Sequence, residues 1–297
     1  MKLTVSIVTF NNEAVIRDAL NCIEQSTLKQ RNNCTTVVVD NSSTDKTAEI
    51  VSREFPGITL IRSVNEGFSV GHNKAIHHIL ENTGVKPDYH LIMNPDIFFG
   101  EDALEKLVGF MDTRNDVGLV MPKVLFPDNR VQYLCKLLPT PFDLLGRRFM
   151  PEFLKTFFKR RFEAYELRDR SYDGLMEVPH LSGCFMMMRT DVFEKVGLFD
   201  ERFFIYLEDV DMSRRIHTKF KTLYYPGVHV FHHYHKGSYK RFRHLMYHME
   251  SAVKYFNKWG WFFDKERKII NKRIKNASGG QKPFREKVSG LPKAFDN

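Results

Sequence analysis

Two acidic side chains in the N-terminal half follow short apolar runs, where they could hold a nucleotide. Asp40 follows the run at residues 35–39, and Asp96 follows the run at residues 90–93 after Asn94 and a proline. A carboxylate at Asp40 can accept the N3–H of a uracil or thymine ring, although its Asp-Asn-Ser-Ser sequence also fits a turn or a helix N-cap. A carboxylate at Asp96 can ligate Mg²⁺ or Mn²⁺, because such an ion needs only one or two carboxylates beside diphosphate oxygens.

A third acidic group lies at residues 208–211, with the sequence Glu-Asp-Val-Asp. Transfer of a group to a hydroxyl needs a base that removes the hydroxyl proton, and a positioned carboxylate can do this. Like charges nearby give Asp209 a reason to keep a raised pKa, and we predict Asp209 as the base. The alternative is a helix N-terminus rich in acids, which the helix dipole favours.

Glycines and amides near residue 67 could hold phosphate. Asn65 precedes Gly67, and Gly71 and Asn73 follow in a segment with helical spacing. Glycine allows close approach of the backbone to a ligand, and the free N–H groups at a helix start attract a diphosphate. An ordinary loop and helix cap would explain the same residues, and the local sequence alone favours that alternative.

Histidines are concentrated at His229, His232, His233 and His235. No second Cys/His cluster completes a zinc site, and the four cysteines lack metal-ligand spacing, so we expect reduced thiols in the core. One imidazole that joins Asp96 on a metal is the simpler hypothesis. The alternative is a set of surface histidines in a basic region.

These residues need a scaffold that brings strand ends together. In the first 125 or so residues, apolar runs alternate with amphipathic segments, which predicts βαβ units and a mostly parallel central sheet in an α/β fold. Ligands bind at the carboxyl ends of such strands, so the polar strand ends should form one cleft. The predicted strands are residues 3–10, 35–39, 58–61, 89–93 and 117–125, and the predicted helices are residues 14–23, 45–54, 68–80 and 101–111.

Residues 139–176 interrupt this pattern, with phenylalanines and basic residues at helical spacing in residues 149–162. An amphipathic insertion that faces a membrane or the acceptor would have this sequence, and so would a helix that packs on the core with a solvated basic edge. The expected organisation is a catalytic domain at 1–240 with a nucleotide-binding half at about 1–125 and an acceptor half at about 126–240, then a basic aromatic helical segment at 241–275 and a flexible tail at 276–297.

The formal net charge of +9 is concentrated in the last fifth of the chain. Residues 236–297 contain 16 Lys or Arg and 5 Asp or Glu, a net charge of +11, whereas the remaining residues have a net charge of −2. Such a block points to an anionic surface, and we expect a membrane because no nucleic-acid-binding motif is present. Without a signal peptide or an apolar run of about 18 residues, the sequence predicts a cytoplasmic protein, peripheral on the inner face of the plasma membrane.

Taken together, these motifs resemble those of a family 2 glycosyltransferase with the GT-A fold, in the branch that includes bacterial rhamnosyltransferases. The resemblance covers roughly residues 3–240, and the order of the motifs is very specific although each motif alone is common. The motifs are Ser6-Ile7-Val8-Thr9-Phe10-Asn11-Asn12, Val39-Asp40-Asn41-Ser42-Ser43-Thr44-Asp45, Asn65-Glu66-Gly67-Phe68 with Gly71 and Asn73, Met93-Asn94-Pro95-Asp96, Ser182-Gly183-Cys184-Phe185, and Val196-Gly197-Leu198-Phe199-Asp200-Glu201-Arg202-Phe203-Phe204 followed by Glu208-Asp209-Val210-Asp211.

The resemblance implies an inverting, metal-dependent transfer of a sugar from a UDP- or dTDP-sugar to a saccharide acceptor. It places Asp40 at the nucleobase, Asp96 on Mg²⁺ or Mn²⁺ and Asp209 as the catalytic base. His233 stands five residues before Ser238 and matches the family's metal-binding histidine. Other matched positions are expected to bind the nucleotide, namely Thr9, Asn11, Ser42, Asn65, Gly67, Asn73 and Asn94, or the acceptor, namely Ser182, Gly183 and Glu208.

Similar enzymes build O-antigens, capsules and related bacterial cell-surface polysaccharides on lipid-linked acceptors, so the first hypothesis is transfer of rhamnose from dTDP-rhamnose. The basic aromatic segment fits an anionic membrane surface in that role. The side chains expected at the headgroups or the interface are Arg241, Arg243, Lys254, Lys258, Lys265, Arg267, Trp259, Trp261, Phe262 and Phe263.

Several alternatives stay open. The same fold could use UDP-galactofuranose, UDP-glucose or UDP-N-acetylglucosamine as donor, or the chain could be a non-catalytic protein that binds carbohydrate or a membrane surface. A nucleotidyltransferase fits less well, because no Gly-rich basic triphosphate loop occurs near the N-terminus. The C-terminal helices could also pair two chains in a homodimer.

Overall fold

A nine-stranded mixed sheet with helices on both faces forms the core, and two further helices follow it. The computed structural model describes residues 1–82, 86–146, 150–233 and 242–277. Of the positions discussed above, His235 and Arg241 and nearly all of the predicted tail at 276–297 lie outside the described residues.

The sheet has the strand order β3-β2-β1-β4-β8-β6-β9-β5, and β7 also pairs with β9. Its strands are β1 (Leu3–Thr9), β2 (Cys34–Asp40), β3 (Thr59–Arg62), β4 (Tyr89–Met93), β5 (Ile97–Phe99), β6 (Val117–Leu125), β7 (Met176–Glu177), β8 (Phe185–Arg189) and β9 (Lys221–His232). The helices are α1 (Ile16–Glu24), α2 (Thr27–Gln30), α3 (Thr47–Glu54), α4 (Phe68–Asn82), α5 (Ala103–Asp112), α6 (Glu152–Phe157), α7 (Lys159–Tyr165), α8 (Asp191–Val196), α9 (Glu208–His217), α10 (Phe242–Trp259) and α11 (Lys265–Asn276), with a π-helical turn at Phe142–Gly146.

The first four strands form the parallel part that the βαβ pattern predicted. β1 pairs in parallel with both β2 and β4, and β2 pairs in parallel with β3. Helices cover both faces, which explains the continuous apolar sequences: on β2, Val37 and Val39 pack with Ile79 of α4. The register places Thr9 beside Asp40 at the shared carboxyl edge.

The second part of the sheet is mixed, so the expected mostly parallel arrangement is limited to the N-terminal half and the β6–β9 pair. β8 runs antiparallel between β4 and β6, and β5 and β7 pair antiparallel with β9. The connection from β6 to β8, residues 126–184, is not a simple helical crossover, and therefore it does not impose a parallel direction. The predicted α/β class with helices flanking the sheet and a helical C-terminal extension is confirmed, and β4 and β6 have their predicted bounds.

The phenylalanines of the insertion fall into two sets. Phe142 meets Phe158 edge-on at a centroid distance of 4.9 Å and stacks on Phe162 at 5.9 Å. On α6, in contrast, Phe153 and Phe157 are 74% and 89% exposed. One set of phenylalanines therefore packs internally, while the other faces outward.

The C-terminal helices dock on α9 through buried charges. Asp211 is fully buried. Its Oδ1 accepts a hydrogen bond from Nε1 of Trp259 and lies 2.8 Å from Nζ of Lys258. Arg214 is 1% exposed and forms a bidentate pair with Asp264, at 2.7 and 2.8 Å. A buried carboxylate or guanidinium left alone would be strongly destabilising, so these pairs fix the position of both helices.

These contacts correct part of the membrane prediction. Arg267 is only 3% exposed, so it does not present its charge to a surface as expected. Trp259 and Lys258 are partly exposed, but Nε1 of Trp259 and Nζ of Lys258 are engaged by the buried Asp211. Phe262 and Phe263 do remain exposed. None of the helices in the described ranges is both long and apolar enough to span a bilayer. All four cysteines are buried free thiols, as predicted.

Helix α10 also supports the loop that leads into α9. The hydroxyl of Ser251 donates to the carbonyl of Ile205 at 2.9 Å, and the hydroxyl of Tyr206 lies 3.0 Å from Nδ1 of His244. The C-terminal segment is therefore in direct contact with the loop that positions the predicted base.

Candidate active site

The loops after β1 and β2 are joined to each other at the carboxyl edge of the sheet. Asn11 and Ser42 have left-handed backbones, with φ of 56° and 61°, which is uncommon outside glycine. Oδ1 of Asn11 accepts a hydrogen bond from the N–H of Thr44 at 2.8 Å, and the hydroxyl of Thr9 donates to Oδ1 of Asn12 at 2.9 Å. In the structure, the side chains of Thr9 and Asn11 thus hold the cleft loops in place.

Asp40 is buried at the end of β2, with 3% of its surface exposed. Its Oδ2 accepts a hydrogen bond from the N–H of Ser43 at 3.1 Å, which is the predicted turn, and it does not cap α3, which begins at Thr47. Next to it, the hydroxyl of Ser42 donates to the carbonyl of Ser63 at 2.9 Å. Oδ1 of Asp40 is buried without a hydrogen-bond partner among the described residues, so it is available to a donor such as a ring N–H.

The start of α4 is tied to residues 199–204. Gly67 has φ of +94°, and a side chain there would collide with the carbonyl of Phe204, so only glycine fits. Asn73 is 3% exposed, and its Nδ2 donates to the carbonyl of Phe199 at 2.9 Å and to Oε1 of Glu201 at 3.0 Å. The amide nitrogen of Asn73 thus donates inside the protein, and its Oδ1 accepts from the N–H of Phe199 at 3.0 Å, so the structure gives Asn73 a role in holding this loop.

Asn65 and Asn94 lie in loops at the same edge of the sheet. Asn65 is exposed, and its Oδ1 accepts a hydrogen bond from the N–H of Gly67 at 3.2 Å, which is the loop arrangement considered as the alternative. Asn94 is partly buried, and its backbone N–H donates to the carbonyl of Cys184 at 2.9 Å. This bond connects the loop that carries Asp96 with the loop at residues 182–184.

The histidine beside Asp96 is His232 and not His233. Nε2 of His232 lies 3.3 Å from Oδ1 of Asp96, and His232 is 5% exposed. The His233 backbone N–H donates to the carbonyl of Asp96 at 2.9 Å, but its ring packs against Phe98 at a centroid distance of 4.8 Å. Side chains alternate along a strand, so two consecutive histidines cannot face the same carboxylate. Of the two histidines, the geometry therefore favours His232 over the predicted His233 as the partner of Asp96 at any metal.

Gln132 sets the tautomer of His232. Nε2 of Gln132 donates to the carbonyls of Leu125 and His232, at 3.2 and 3.0 Å, so its Oε1 is left to accept from Nδ1 of His232 at 3.0 Å. In the neutral ring, Nε2 then carries the lone pair, which points at Oδ1 of Asp96. Nε2 of His232 and Oδ1 of Asp96 then face each other as two acceptors, and Oδ1 has no hydrogen-bond partner among the described residues. Two such acceptors fit a cation that both would ligate.

The predicted base, Asp209, lies in the first turn of α9. The two residues before the helix, Tyr206 and Leu207, both have left-handed backbones, with φ of 72° and 66°. Such conformations cost about 1–3 kcal/mol each and occur preferentially at functional sites. Oδ2 of Asp209 accepts a hydrogen bond from the N–H of Gly183 at 2.9 Å and lies 3.6 Å from Nε2 of His180.

The pKa values of the adjacent acids Glu208 and Asp209 shift in opposite directions, and that of Asp209 shifts opposite to the prediction. Burial alone would raise the pKa of Asp209, but the interaction with His180 and the hydrogen bond from Gly183 outweigh it, and the pKa of Asp209 is lowered. Burial, with a contribution from the charge of Asp209, instead raises the pKa of Glu208 well above its usual value. The neighbouring acids therefore divide into an ionised Asp209 and a Glu208 that resists ionisation.

The loop at residues 182–184 lies between the two acidic sites. Its Gly183 contacts Asp209 closely, since a Cβ at Gly183 would lie 3.2 Å from Cβ of Asp209. Burial raises the pKa of the Cys184 thiol to about 12, and the nearby charges of both Asp96 and Asp209 contribute to this increase. The half-buried Ser182 belongs to the same loop. The predicted metal-binding and catalytic carboxylates thus flank a single loop.

Two site residues, His180 and Gln132, were not predicted. His180 is an isolated histidine without a motif, and Gln132 lies in an irregular segment, so neither carried a sequence signal. The sequence did carry a signal for His232. Valines at 228 and 230 indicate the inward face of β9, and His232 continues that alternation by two residues. In the structure all three side chains are buried. Within the described ranges, no cluster of three or more His, Cys, Asp or Glu side chains forms a complete metal site.

Comparison with known proteins shows which enzymes this chain is similar to. N-acetylglucosaminyl-diphospho-decaprenol L-rhamnosyltransferase of Mycobacterium tuberculosis is 29% identical over 206 residues, which cover 66% of this chain and 66% of that protein. Rhamnosyltransferase WbbL of Escherichia coli K12 is 24% identical over 224 residues, which cover 74% of this chain and 81% of WbbL. The chain thus spans about two thirds of the length of the mycobacterial relative.

Among solved structures, a mannosyltransferase of Pyrobaculum calidifontis in complex with GDP-Man and Mn²⁺ has a TM-score of 0.57 at 18% identity, over 95% of this chain and 76% of that chain. At this identity the likeness shows the fold, and it is the predicted GT-A fold. Residues 4–197 match the family described as Glycosyl transferase family 2, a range that includes Asp40, Asp96 and Gly183. Because this match covers well over half of the sequence, the chain belongs to glycosyl transferase family 2.

Proposed function

We propose that this protein is an inverting glycosyltransferase that moves a sugar from a pyrimidine nucleotide-sugar to a saccharide acceptor in cell-surface polysaccharide synthesis. The observation that carries the proposal is the placement of Asp209 and the Asp96–His232 pair on either side of the loop at residues 182–184. A base and a diphosphate site that flank one loop are what transfer to an acceptor hydroxyl requires.

The donor nucleotide would lie at the carboxyl ends of β1 and β2. The buried, unpartnered Oδ1 of Asp40 supports a pyrimidine ring that donates its N3–H. The two relatives described above are named rhamnosyltransferases, and therefore rhamnose from a dTDP-sugar is the first donor to test. UDP-galactofuranose, UDP-glucose and UDP-N-acetylglucosamine are the alternatives that Asp40 would also accept.

Asp96 and His232 would hold Mg²⁺ or Mn²⁺ together with the diphosphate. The facing acceptor atoms of these two residues fit a divalent cation, and Mn²⁺ accompanies the nucleotide-sugar in the mannosyltransferase structure. Such a cation would neutralise the negative charge that develops on the leaving diphosphate.

In the proposed reaction, the carboxylate of Asp209 removes the proton of the acceptor hydroxyl. The hydroxyl oxygen bonds to the anomeric carbon on the face opposite the nucleotide, the bond from that carbon to the diphosphate breaks, and the configuration inverts. The lowered pKa of Asp209 keeps it ionised, while Glu208, with its raised pKa, keeps a proton that it can donate to an acceptor oxygen. Ser182 and Gly183 would line the acceptor side.

We further propose that the acceptor is lipid-linked and that the protein works peripherally at the cytoplasmic face of a membrane. The mycobacterial relative is named for an acceptor with a decaprenol diphosphate, and the net charge of +11 in residues 236–297 complements anionic lipid.

Calorimetric titration with a panel of nucleotides and nucleotide-sugars, in Mn²⁺ and again in EDTA, tests the donor site. Metal-dependent binding of dTDP- or UDP-species with one preferred sugar is expected. Transfer to a lipid-linked acceptor, followed by product analysis, then tests the reaction. Failure to bind any pyrimidine diphosphate would contradict the proposal, and binding without transfer to any acceptor would favour a non-catalytic carbohydrate-binding protein.

A further inference from the structure

A groove separate from the predicted active-site residues lies between α11 and the insertion. It has a volume of about 580 Å³. Its lining residues are Thr140, Pro141, Phe142, Arg161, Trp261, Phe262, Arg267, Lys268, Asn271, Lys272, Lys275 and Asn276. Five of these are cationic and three are aromatic, and no carboxylate lines the groove within the part of the chain that the structure describes. Of the five cations, Arg267 is buried and its guanidinium donates to backbone carbonyls, so the exposed lysines carry the charge of the groove.

The walls of the groove are fixed by internal contacts. Oδ1 of Asn271 accepts a hydrogen bond from the N–H of Leu138 at 2.9 Å, and its Nδ2 donates to the Leu138 carbonyl at 2.8 Å. The guanidinium of Arg161 lies 4.5 Å from the ring centroid of Phe142 and is oriented by Asp143, 3.1 Å from its Nε. The contacts that shape these walls therefore lie within the protein and do not depend on an occupant of the groove.

Two exposed lysines on α11, Lys268 and Lys272, are spaced i,i+4 and therefore lie on one face of the helix. Neither pairs with a carboxylate among the described residues, and Glu266, the one acid of α11, bonds to Arg214 at 2.8 Å. Like charges at this spacing repel each other, so an anion in the groove would stabilise both.

The same region exposes aromatic rings. Phe262 and Phe263, in the turn between α10 and α11, are 71% and 93% exposed, and Phe262 and the partly buried Trp261 line the groove itself. Apolar rings beside Lys268 and Lys272, which pair with no carboxylate among the described residues, match the two ends of a phospholipid, with its acyl chains and its phosphate. A single-stranded nucleic acid also pairs with cations and stacks on aromatic rings, but no nucleic-acid-binding motif occurs in the sequence, so the phospholipid is the better match.

We propose that this groove binds the phosphate headgroup of an anionic phospholipid in a bilayer, with Phe262 and Phe263 inserted among the acyl chains. The inference rests on the proposed function at a membrane surface. The sequence predicted lipid contacts from side chains spread along residues 241–267, and the proposal instead assigns them to one groove.

Flotation with vesicles of phosphatidylcholine, with and without phosphatidylglycerol, tests the site in the full-length protein. The wild type should float with the anionic vesicles, and Lys268→Glu/Lys272→Glu should weaken partitioning about tenfold or more, the scale expected when two cations are lost from an anionic surface. The charge-matched control is Lys195→Glu/Lys219→Glu, at two exposed lysines outside the groove, and it should partition like the wild type. Equal losses in both double variants would overturn the proposal, because they would show attraction by net charge alone.

A second measurement tests insertion. The protein has two tryptophans, and Trp261 lines the groove, so acyl chains brominated near the headgroup should quench its fluorescence in anionic vesicles. Phe262→Ser/Phe263→Ser should reduce both quenching and flotation. Binding to an oligonucleotide that the Lys268→Glu/Lys272→Glu variant loses, without any flotation of the wild type, would overturn the proposal in favour of nucleic acid.

Transfer to a short, water-soluble acceptor separates this proposal from the proposed function. The lysine and phenylalanine variants should retain that activity and lose activity only on vesicle-borne acceptor. If the wild type is inactive on the soluble acceptor but floats as expected, the function fails while the lipid site stands. If it is active and the variants float normally, the lipid site fails while the function stands.

Discussion

Nε2 of His232 lies 3.3 Å from Oδ1 of Asp96, while the adjacent His233 turns its ring to Phe98. Because Gln132 holds the other ring nitrogen as a donor, the arrangement presents one imidazole lone pair and one carboxylate oxygen to the same point. The choice between two neighbouring histidines is therefore a direct experimental question.

We expect His232→Ala to weaken Mn²⁺-dependent binding of the nucleotide by about 10–100-fold, because a metal ligand is lost. Calorimetry in Mn²⁺ and in EDTA measures this effect. His233→Ala is the matched control and should bind nearly as the wild type does. The reverse result would restore the ligand predicted from the sequence.

Asp209→Asn should reduce turnover by about 10²–10⁴-fold, because the amide cannot accept the hydroxyl proton. Nucleotide binding should be nearly unchanged, since Asp209 contacts Gly183 and His180 and not the predicted nucleotide loops. Turnover assays and calorimetry on the same preparation give the two values. Near-normal turnover in this variant would exclude Asp209 as the base.

His180 should act as a positioning residue for Asp209. Its interaction helps to lower the pKa of Asp209, so His180→Leu should raise that pKa and move the acidic limb of the kcat/KM profile to higher pH. His180→Gln keeps an N–H donor and should move the limb less. A loss of rate with no movement of the pH profile would point to a packing role only.

Stability should fall when the pH drops below about 6.5. Burial lowers the pKa of His90 to about 3 and holds that of His72 well below its usual value, and each ring bonds to the hydroxyl of Ser6. Between the folded and unfolded pKa values, only the unfolded chain takes up these protons, so the free energy of unfolding decreases by about 1.4 kcal/mol per pH unit for each histidine. Above pH 6.5 both rings are neutral in both states, and the effect disappears.

Denaturant unfolding at a series of pH values measures this slope. His90→Gln should make the slope shallower, although its stability at neutral pH is lower than that of the wild type. His77→Gln, at an exposed histidine on α4, should leave the slope unchanged. An equal slope in all three proteins would assign the acid sensitivity to other groups.

The parallel part of the fold was predictable because its signal is local. Residues 89–93 and 117–125 are apolar runs bounded by polar residues, and the structure gives β4 and β6 those bounds. Asp40 was identifiable in the same way, as the first polar residue after a buried strand. The direction of β8 was not predictable, since it depends on the path of the chain between residues 126 and 184.

The roles of single side chains were less predictable where long-range contacts decide them. Asn73 matches a nucleotide-binding motif, yet its amide is used by Phe199 and Glu201, more than 120 residues away in sequence. The low pKa of Asp209 depends on His180, which no local pattern connects with it. From the like charges in one helix turn, the sequence predicted a raised pKa for Asp209, and the structure lowers it. The sequence does not show which of the acids has a partner.

The docking of the C-terminal helices limits how the chain can be recombined. The family match ends at residue 197, but two buried charges on α9, the helix of the predicted base, have counter-charges in the C-terminal helices. Arg214 pairs with Asp264, and Asp211, which also pairs with Arg215 of its own helix, lies 2.8 Å from Nζ of Lys258. A chimera that takes its last two helices from another family member would have to exchange the facing charges of α9 with them. The two C-terminal helices and α9 should therefore be inherited together, and pairs such as Arg214 with Asp264 should change in concert among related sequences.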